Sequence, residues 1–468
     1  MINRRHFLQA AATLPLTGPA WADEPATKLT IGARILEVKG KAAKVFGITD
    51  DQGKPGLSML YGRRFNVALR NGLGEDTLIH WHGLTPPVSL DGVPDLPAPA
   101  LKPGETRRYA FNNRRVGTHW MHSHLGLQEQ QLLAAPLIVS ETETPENDEL
   151  EHVVMLHDFT FRDPAGILAE LRGGGGGHAM HMQMKAPKMD HMGLHVPTTT
   201  MLSDVTYDAL LANDRTLDDP EIVDVEPGRQ VRLRLINGCS ASNLWVDLGA
   251  LKAELIAVDG NVIRFQKVSK FPLAIAQRAD LRISLPRDAA AWPILFQSEG
   301  AALRGGIFLR VKNGPVAQFS DQGEPGAAID LSFEASIRGA FEPEAWPVKL
   351  RKTIMLTGGN SGYDWGFNGK PSMMHDVLFQ VKEGGQVELG LHNMTAMAHP
   401  IHLHEHYFKM VAINDQKVEG PVRDTILIPP GMRVNLRFNA DNPGTWAFHC
   451  HHLYHMNSGM MAAMAYAV

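Results

Sequence analysis

The chain has 468 residues with 20% charged and a formal net charge of −5, a balance that excludes the basic footprint of a nucleic-acid binder. This length exceeds one ordinary domain and predicts two to four, each large enough to bury a core. The 44 glycines and 30 prolines, beside only 7% aromatic residues, suit many turns and short strands and disfavour a helix-rich fold.

The N-terminus, MINRRHFLQAAATLPLTGPAWADE, sets Arg4 and Arg5 before a short apolar run and ends it on Ala20-Trp21-Ala22, a small-x-small cleavage pattern. It resembles a twin-arginine signal, so residues 1–22 are expected to be removed after export by the twin-arginine machinery, placing a folded chain in the periplasm. The apolar run is too short for a membrane span, and no later stretch approaches that length.

Strands alternating at period two are predicted at 62–72 (GRRFNVALRNG), 228–238 (GRQVRLRLING) and 384–394 (GGQVELGLHNM), each running into a turn at an Asn. Between the first two, the stretch 173–196 holds Met180, Met182, Met184, Met189, Met192 and four His behind a glycine run. Glycine runs read as flexible loops, and exposed thioethers are soft ligands for Cu(I); low-complexity filler is the plainer alternative. Polar runs at 141–151 and 311–326 mark the domain boundaries.

Aligning Asn71, Asn237 and Asn393 exposes a threefold repeat. Nine and eleven residues on lie His80 and His82 in the first unit, Val246 and Leu248 in the second, and His402 and His404 in the third. A second shared pattern, counted from Gly117 and Gly444, gives His122 and His124 in the first unit and His449 and His451 in the last. The residue between is Ser123 in one and Cys450 in the other, and His399 corresponds to Thr77. Repeats of this size, rich in short strands, predict three Greek-key sandwich domains. The paired histidines of the first and last units are expected to meet in a metal cluster between them.

The stretch HCHHLYHMNSGM at 449–460 adds a different site. Cys450, His455 and Met460, completed by His399, make the His/Cys/Met set of a blue-copper electron-transfer centre. Side chains alternate on a strand, so His449 and His451 point away from Cys450 toward the other metals. Cys239 and Cys450 are the only cysteines, and in an oxidising compartment a disulfide is the ordinary expectation. A copper-bound Cys450 would leave Cys239 a lone buried thiol without catalytic role.

The motifs HWHG (80–83), HSH (122–124), HPIHLHEH (399–406) and HCHHLYHMNSGM (449–460) together resemble the multicopper oxidase family, in its bacterial laccase and cuprous oxidase branch. The resemblance implies an all-β chain of three cupredoxin-like domains: 23–145 with half of the cluster ligands, 146–315 with none, and 325–468 with the rest. It implies four coppers per chain: type 1 on His399, Cys450, His455 and Met460, type 2 on His80 and His402, and a type 3 pair on His82, His122, His124, His404, His449 and His451. Implied activity is one-electron oxidation of Cu(I) or a phenol coupled to reduction of dioxygen to water, by a monomer serving periplasmic copper tolerance.

A laccase with mainly organic substrates is the alternative reading, and a copper-binding protein without turnover ranks behind both. Asp91 stands where the family has an acidic residue near the cluster, which assigns it to proton handling; a plain Asp-Gly turn is the competing reading. Met397 matches a family position that touches substrate copper, though its acidic companion is here Thr395. Two further departures are Met456, where many bacterial members have a carboxylate, and Glu405, where Gly is usual.

Overall fold

The computed structural model describes residues 25–142, 149–173, 184–185, 199–359 and 362–467. The expected signal 1–22 and Met180, Met182, Met189 and Met192 lie outside the described residues. Of Met184 the backbone is described, in a two-residue strand paired with Thr199–Thr200.

The protein is all-β, 51% strand and 6% helix, with cupredoxin-type sandwiches following one another along the chain. Sheets of four and four strands occupy 27–140, sheets of six and five occupy 150–311, and sheets of seven and five occupy 348–466. Each pair encloses its own apolar core, with Phe65, Val67 and Leu69 in the first, Leu233, Leu235 and Phe296 in the second, and Leu389, Leu391 and Phe448 in the third. The strand Arg64–Asn71 shows why the period-two pattern folds this way: Phe65, Val67, Leu69 and Asn71 are buried while the residues between them are not.

The three aligned asparagines explain the repeat physically. Each is wholly buried, its amide donating to two backbone carbonyls across the sandwich and its Oδ1 accepting a backbone N–H two residues on. Asn71 donates to Glu75 O and Leu101 O, Asn237 to Ser242 O and Leu273 O, and Asn393 to Met397 O and Ile428 O. Their acceptor contacts are to the N–H of Leu73, Cys239 and Thr395. A buried amide with donors and acceptor all satisfied is a clamp, and replacing it would orphan backbone groups.

Residues 326–340 lie along the second sandwich: Gly326 bridges Glu299, Gly339 bridges Ile263, and Phe333 stacks on Phe271 at 5.6 Å. Among the described residues no helix is long and apolar enough to cross a membrane.

Candidate metal centre

Strand register assembles the histidines. Ile79–His80 pairs with Gly117–Ser123 so that His80 faces His122, and His399–Leu403 pairs with Thr445–Cys450 so that His402 faces His449. The strand Thr445–Cys450 is buried on both faces, because one face meets the sandwich core and the other meets the first unit. Thus Cys450 looks inward to the third unit, while His449 and the following His451 look outward to His122, His124, His404 and His82.

Among the sets of ligand atoms that converge in the described residues are His80, His82 and His402; His82, His122 and His451; His124, His404 and His449; and His399, Cys450 and His455. Within each set these atoms lie within 4.8 Å of one another, and every residue is buried. The Nδ1–H groups are spoken for. His80 reaches Asp91 Oδ1 at 2.7 Å, His402 reaches Asp424 O at 2.7 Å, His122 reaches Ser123 O at 3.1 Å and His449 reaches Cys450 O at 3.0 Å. Their other nitrogens are therefore lone pairs, and Nε2 of His80, His122, His402 and His451 is buried without a hydrogen-bond partner. His82 is reversed: its Nε2 meets Asp424 Oδ1 at 3.1 Å, leaving Nδ1 without a partner.

Burial pushes the imidazoles of His82, His122, His124, His399, His402, His404 and His451 well down, and those of His449 and His455 to about 3, toward the neutral form that ligates metals. His404 Nε2 and His449 Nε2 face one another at 3.0 Å although both Nδ1 atoms are taken up by oxygen acceptors. Two lone pairs that close make sense only with a cation to share, and the donor set fits metal ions.

At the second site, Cys450 Sγ lies 3.6 Å from His399 Nδ1 and 3.9 Å from His455 Nδ1, and the two nitrogens are 3.2 Å apart. Met460 is fully buried beside them, its carbonyl accepting the Cys450 N–H. Burial drives the Cys450 thiol far up, so a bound cation is what would hold it as thiolate. Both cysteines are free, which removes the expected disulfide. In the first unit the matching space is filled without metal: Thr77 and Ser123 hydroxyls both donate to Gln128 Oε1.

Asp91 bridges the two units, accepting from His80 at 2.7 Å and from His404 Nδ1 at 3.1 Å. Glu405, at a left-handed φ of 53°, places a buried carboxylate 3.7 Å from His404 Nδ1 and 3.9 Å from His80 Nδ1. Burial and the neighbouring Asp91 push its carboxyl well up. Met397 is 3% exposed and sits beside the Cys450 site. Thr395 turns its hydroxyl to His399 Nε2 at 2.7 Å.

The sequence reading missed the groups that hold these ligands. Asp424 takes a bidentate grip from Arg278, at 2.7 and 2.5 Å, so the ligand-free middle unit orients His82 through a buried ion pair. Asp204, also from the middle unit, accepts from His452 Nε2 at 3.1 Å, His455 Nε2 at 3.3 Å and the Tyr363 hydroxyl. Burial works against its ionisation, but His452 and His455 hold its carboxyl well below the usual range. Trp365 covers His455 at 4.0 Å. None of these belongs to a local motif, so no spacing signal announced them.

A β-sandwich chain with a Cys/His/Met site wired through one strand to a histidine cluster defines a cupredoxin-type copper protein. Comparison with known proteins agrees: models of the family described as Multicopper oxidase match residues 31–144, 151–313 and 346–468. The copper resistance protein A homolog of Pseudomonas syringae pv. tomato is 27% identical over 98% of each chain. Multicopper oxidase MmcO of Mycobacterium tuberculosis is 27% identical over 88% of this chain and 81% of its own. Among solved structures, Fet3p, a multicopper oxidase that functions in iron import, superposes with a TM-score of 0.75 at 20% identity, covering 94% of this chain and 90% of that one. The chain belongs to the multicopper oxidase family. It is an oxidoreductase with dioxygen as electron acceptor, and its histidine clusters fit copper.

Proposed function

We propose that the protein oxidises Cu(I), and secondarily phenols, one electron at a time and couples this to four-electron reduction of dioxygen in periplasmic copper tolerance. The observation that carries the reading is the strand on which Cys450 faces one site while His449 and His451 face the other. An electron arriving at Cys450 needs only its own backbone to reach the cluster. Of the expected ligands, His399, Cys450, His455 and Met460 would hold type 1 copper, and His80 and His402 type 2. His82, His122, His124, His404, His449 and His451 would hold the type 3 pair. When bound, copper supplies reversible one-electron chemistry and a site where dioxygen is reduced.

The chain's own groups do the rest. Arg278 and Asp424 aim His82, Asp204 and Thr395 fix the tautomers of His455 and His399, and the buried surroundings exclude bulk water. Asp91, between His80 and His404, is the carboxylate assigned to proton delivery, with Glu405 beside it where Met456 offers none. We read the chain as an exported signal at 1–22 and three cupredoxin domains divided near residues 145 and 315, acting as a monomer. Two relatives named for copper resistance, at 27% and 26% identity over more than nine-tenths of this chain, support the copper-tolerance role, as does the Met/His-rich stretch 173–196.

Relatives named as laccases, at 24% identity, support the alternative of mainly organic substrates. The test is oxygen uptake by the copper-loaded protein with Cu(I) and with a phenol, for the parent and a variant lacking 173–196. Loss of Cu(I) oxidation with phenol oxidation spared supports the cuprous oxidase. Parallel changes in both favour the laccase, and no uptake by the loaded parent overturns the oxidase reading.

A further inference from the structure

One further carboxyl reaches the histidine cluster. Glu129 lies on the short 3-10 turn Gln128–Gln131 that follows His122 and His124 in the chain, and it is 2% exposed. The turn touches all three units. Gln128 accepts from the Thr77 and Ser123 hydroxyls of the first, while Gln130 donates to Asp158 O of the middle unit at 3.3 Å and accepts from the Tyr454 hydroxyl of the third at 3.0 Å. Between these two glutamines, Glu129 Oε2 lies 3.0 Å from His122 Nδ1 and Oε1 lies 3.8 Å from His451 Nδ1.

Oε1 is buried without a hydrogen-bond partner, and among the described residues the ion pairs of Glu129 are with these two histidines rather than with a lysine or arginine. A carboxylate buried without a cation is costly, and a metal ion on the histidines it touches supplies the missing charge. His122 and His451 belong to one convergent set, whose third member, His82, meets Asp424 Oδ1 at 3.1 Å. A carboxyl therefore stands behind each of the three. The neighbouring set, His124, His404 and His449, is backed differently. Asp91 and Glu405 both approach the single His404, at 3.1 and 3.7 Å, and His80 shares them. His449 has only a backbone carbonyl at its Nδ1, and neither nitrogen of His124 has a hydrogen-bond partner.

We propose that Glu129 is a positioning residue for one member of the binuclear pair, holding His122 of the first unit and His451 of the third toward a common copper, and that the two type 3 ions are bound unequally as a result. A carboxylate behind a ligating imidazole fixes its ring and raises its basicity, and loss of such a group weakens metal binding about 10–100-fold. With three backed ligands against one, the ion on His82, His122 and His451 is the tighter. Its neighbour on His124, His404 and His449 leaves first. The assignment rests on the reading that these histidines hold copper.

The experiment equilibrates crystals of the copper-loaded full chain with rising concentrations of a copper chelator and measures the occupancy of each copper by anomalous scattering. In the parent, half-depletion of the ion on His82, His122 and His451 should need about tenfold more chelator, or beyond, than half-depletion of its neighbour. Glu129→Gln keeps the shape of the side chain and an oxygen for His122 but removes the charge. It should lower the first of these concentrations about 10–100-fold and leave the second at the parental value. Copper leaving both sets together in the parent, or leaving His82, His122 and His451 first, overturns the unequal pair, and this arm needs no variant. An equal loss from both sets in Glu129→Gln, the mark of a general structural fault, overturns the positioning role, as does a Glu129→Gln protein that keeps the parental concentrations. A parent that takes up no copper on either set refutes the copper reading itself and the role of Glu129 with it.

Discussion

Substituting Asp204→Asn tests whether the middle unit governs the Cys450 site, although His399, Cys450 and His455 all come from the third. The carboxylate is 7% exposed and accepts three hydrogen bonds, from His452, His455 and Tyr363. An asparagine keeps one oxygen and sets an NH₂ where an acceptor stood, so at least one buried N–H or O–H loses its partner. Each such orphan costs about 1–3 kcal/mol, and the metal-free protein should lose about that much in urea unfolding. The His455 tautomer would no longer be pinned with Nδ1 toward Cys450 Sγ, and loss of such a supporting carboxylate weakens metal binding about 10–100-fold. Chelator competition, followed by the visible absorption of thiolate-bound copper, should show that weakening at the Cys450 site. Tyr363→Phe, which removes one donor and leaves both histidine contacts, should show the smaller effect in both assays. An Asp204→Asn protein with parental stability and parental copper retention would refute the argument that Asp204 orients His455.

Arg278→Gln leaves Asp424 as a buried, unpaired carboxylate next to His82, and should cost about 3–5 kcal/mol in urea unfolding of the metal-free protein; a loss under 1 kcal/mol would count against the ion pair as a structural element. Asp91→Asn should lower oxygen turnover per bound copper by about 10²-fold or more, the range for a lost proton-transfer group. Full activity in that variant would return Asp91 to the plain turn reading. Burial raises Glu299 from 4.5 to about 7, so between those pH values the folded chain keeps a proton that the unfolded chain has released. Stability from this group therefore falls as pH rises through that window, by about 3 kcal/mol in all. Glu299→Gln should flatten that slope in thermal or urea unfolding measured from pH 4.5 to 7, and an unchanged slope would rule this group out as its source.

Much of the site was legible in the chain because its ligands obey local rules. Alternation along a strand sends Cys450 one way and His449 and His451 the other, and the repeat counted from Asn71 and Asn393 pairs His80 and His82 with His402 and His404. The same asparagines explain why the counting works: each clamps its strand end to two carbonyls, so the residues that follow leave every sandwich at a common point. Asp91 was also within reach, since a carboxylate in an Asp-Gly turn was weighed for the cluster, and it contacts His80 and His404.

What tertiary structure decided were the contacts that no spacing encodes. Asp424 and Arg278 lie 146 positions apart and Asp204 and His455 lie 251 apart, and each pair meets only because separate sandwiches pack against one another. Glu405 stands in a motif where the chain departs from its relatives, yet its closeness to Asp91 depends on the first and third units closing around a shared cluster. Ligand identity was readable because covalent geometry repeats every two residues along a strand. The groups that orient those ligands, and the space beside them, come from packing between surfaces distant in the chain.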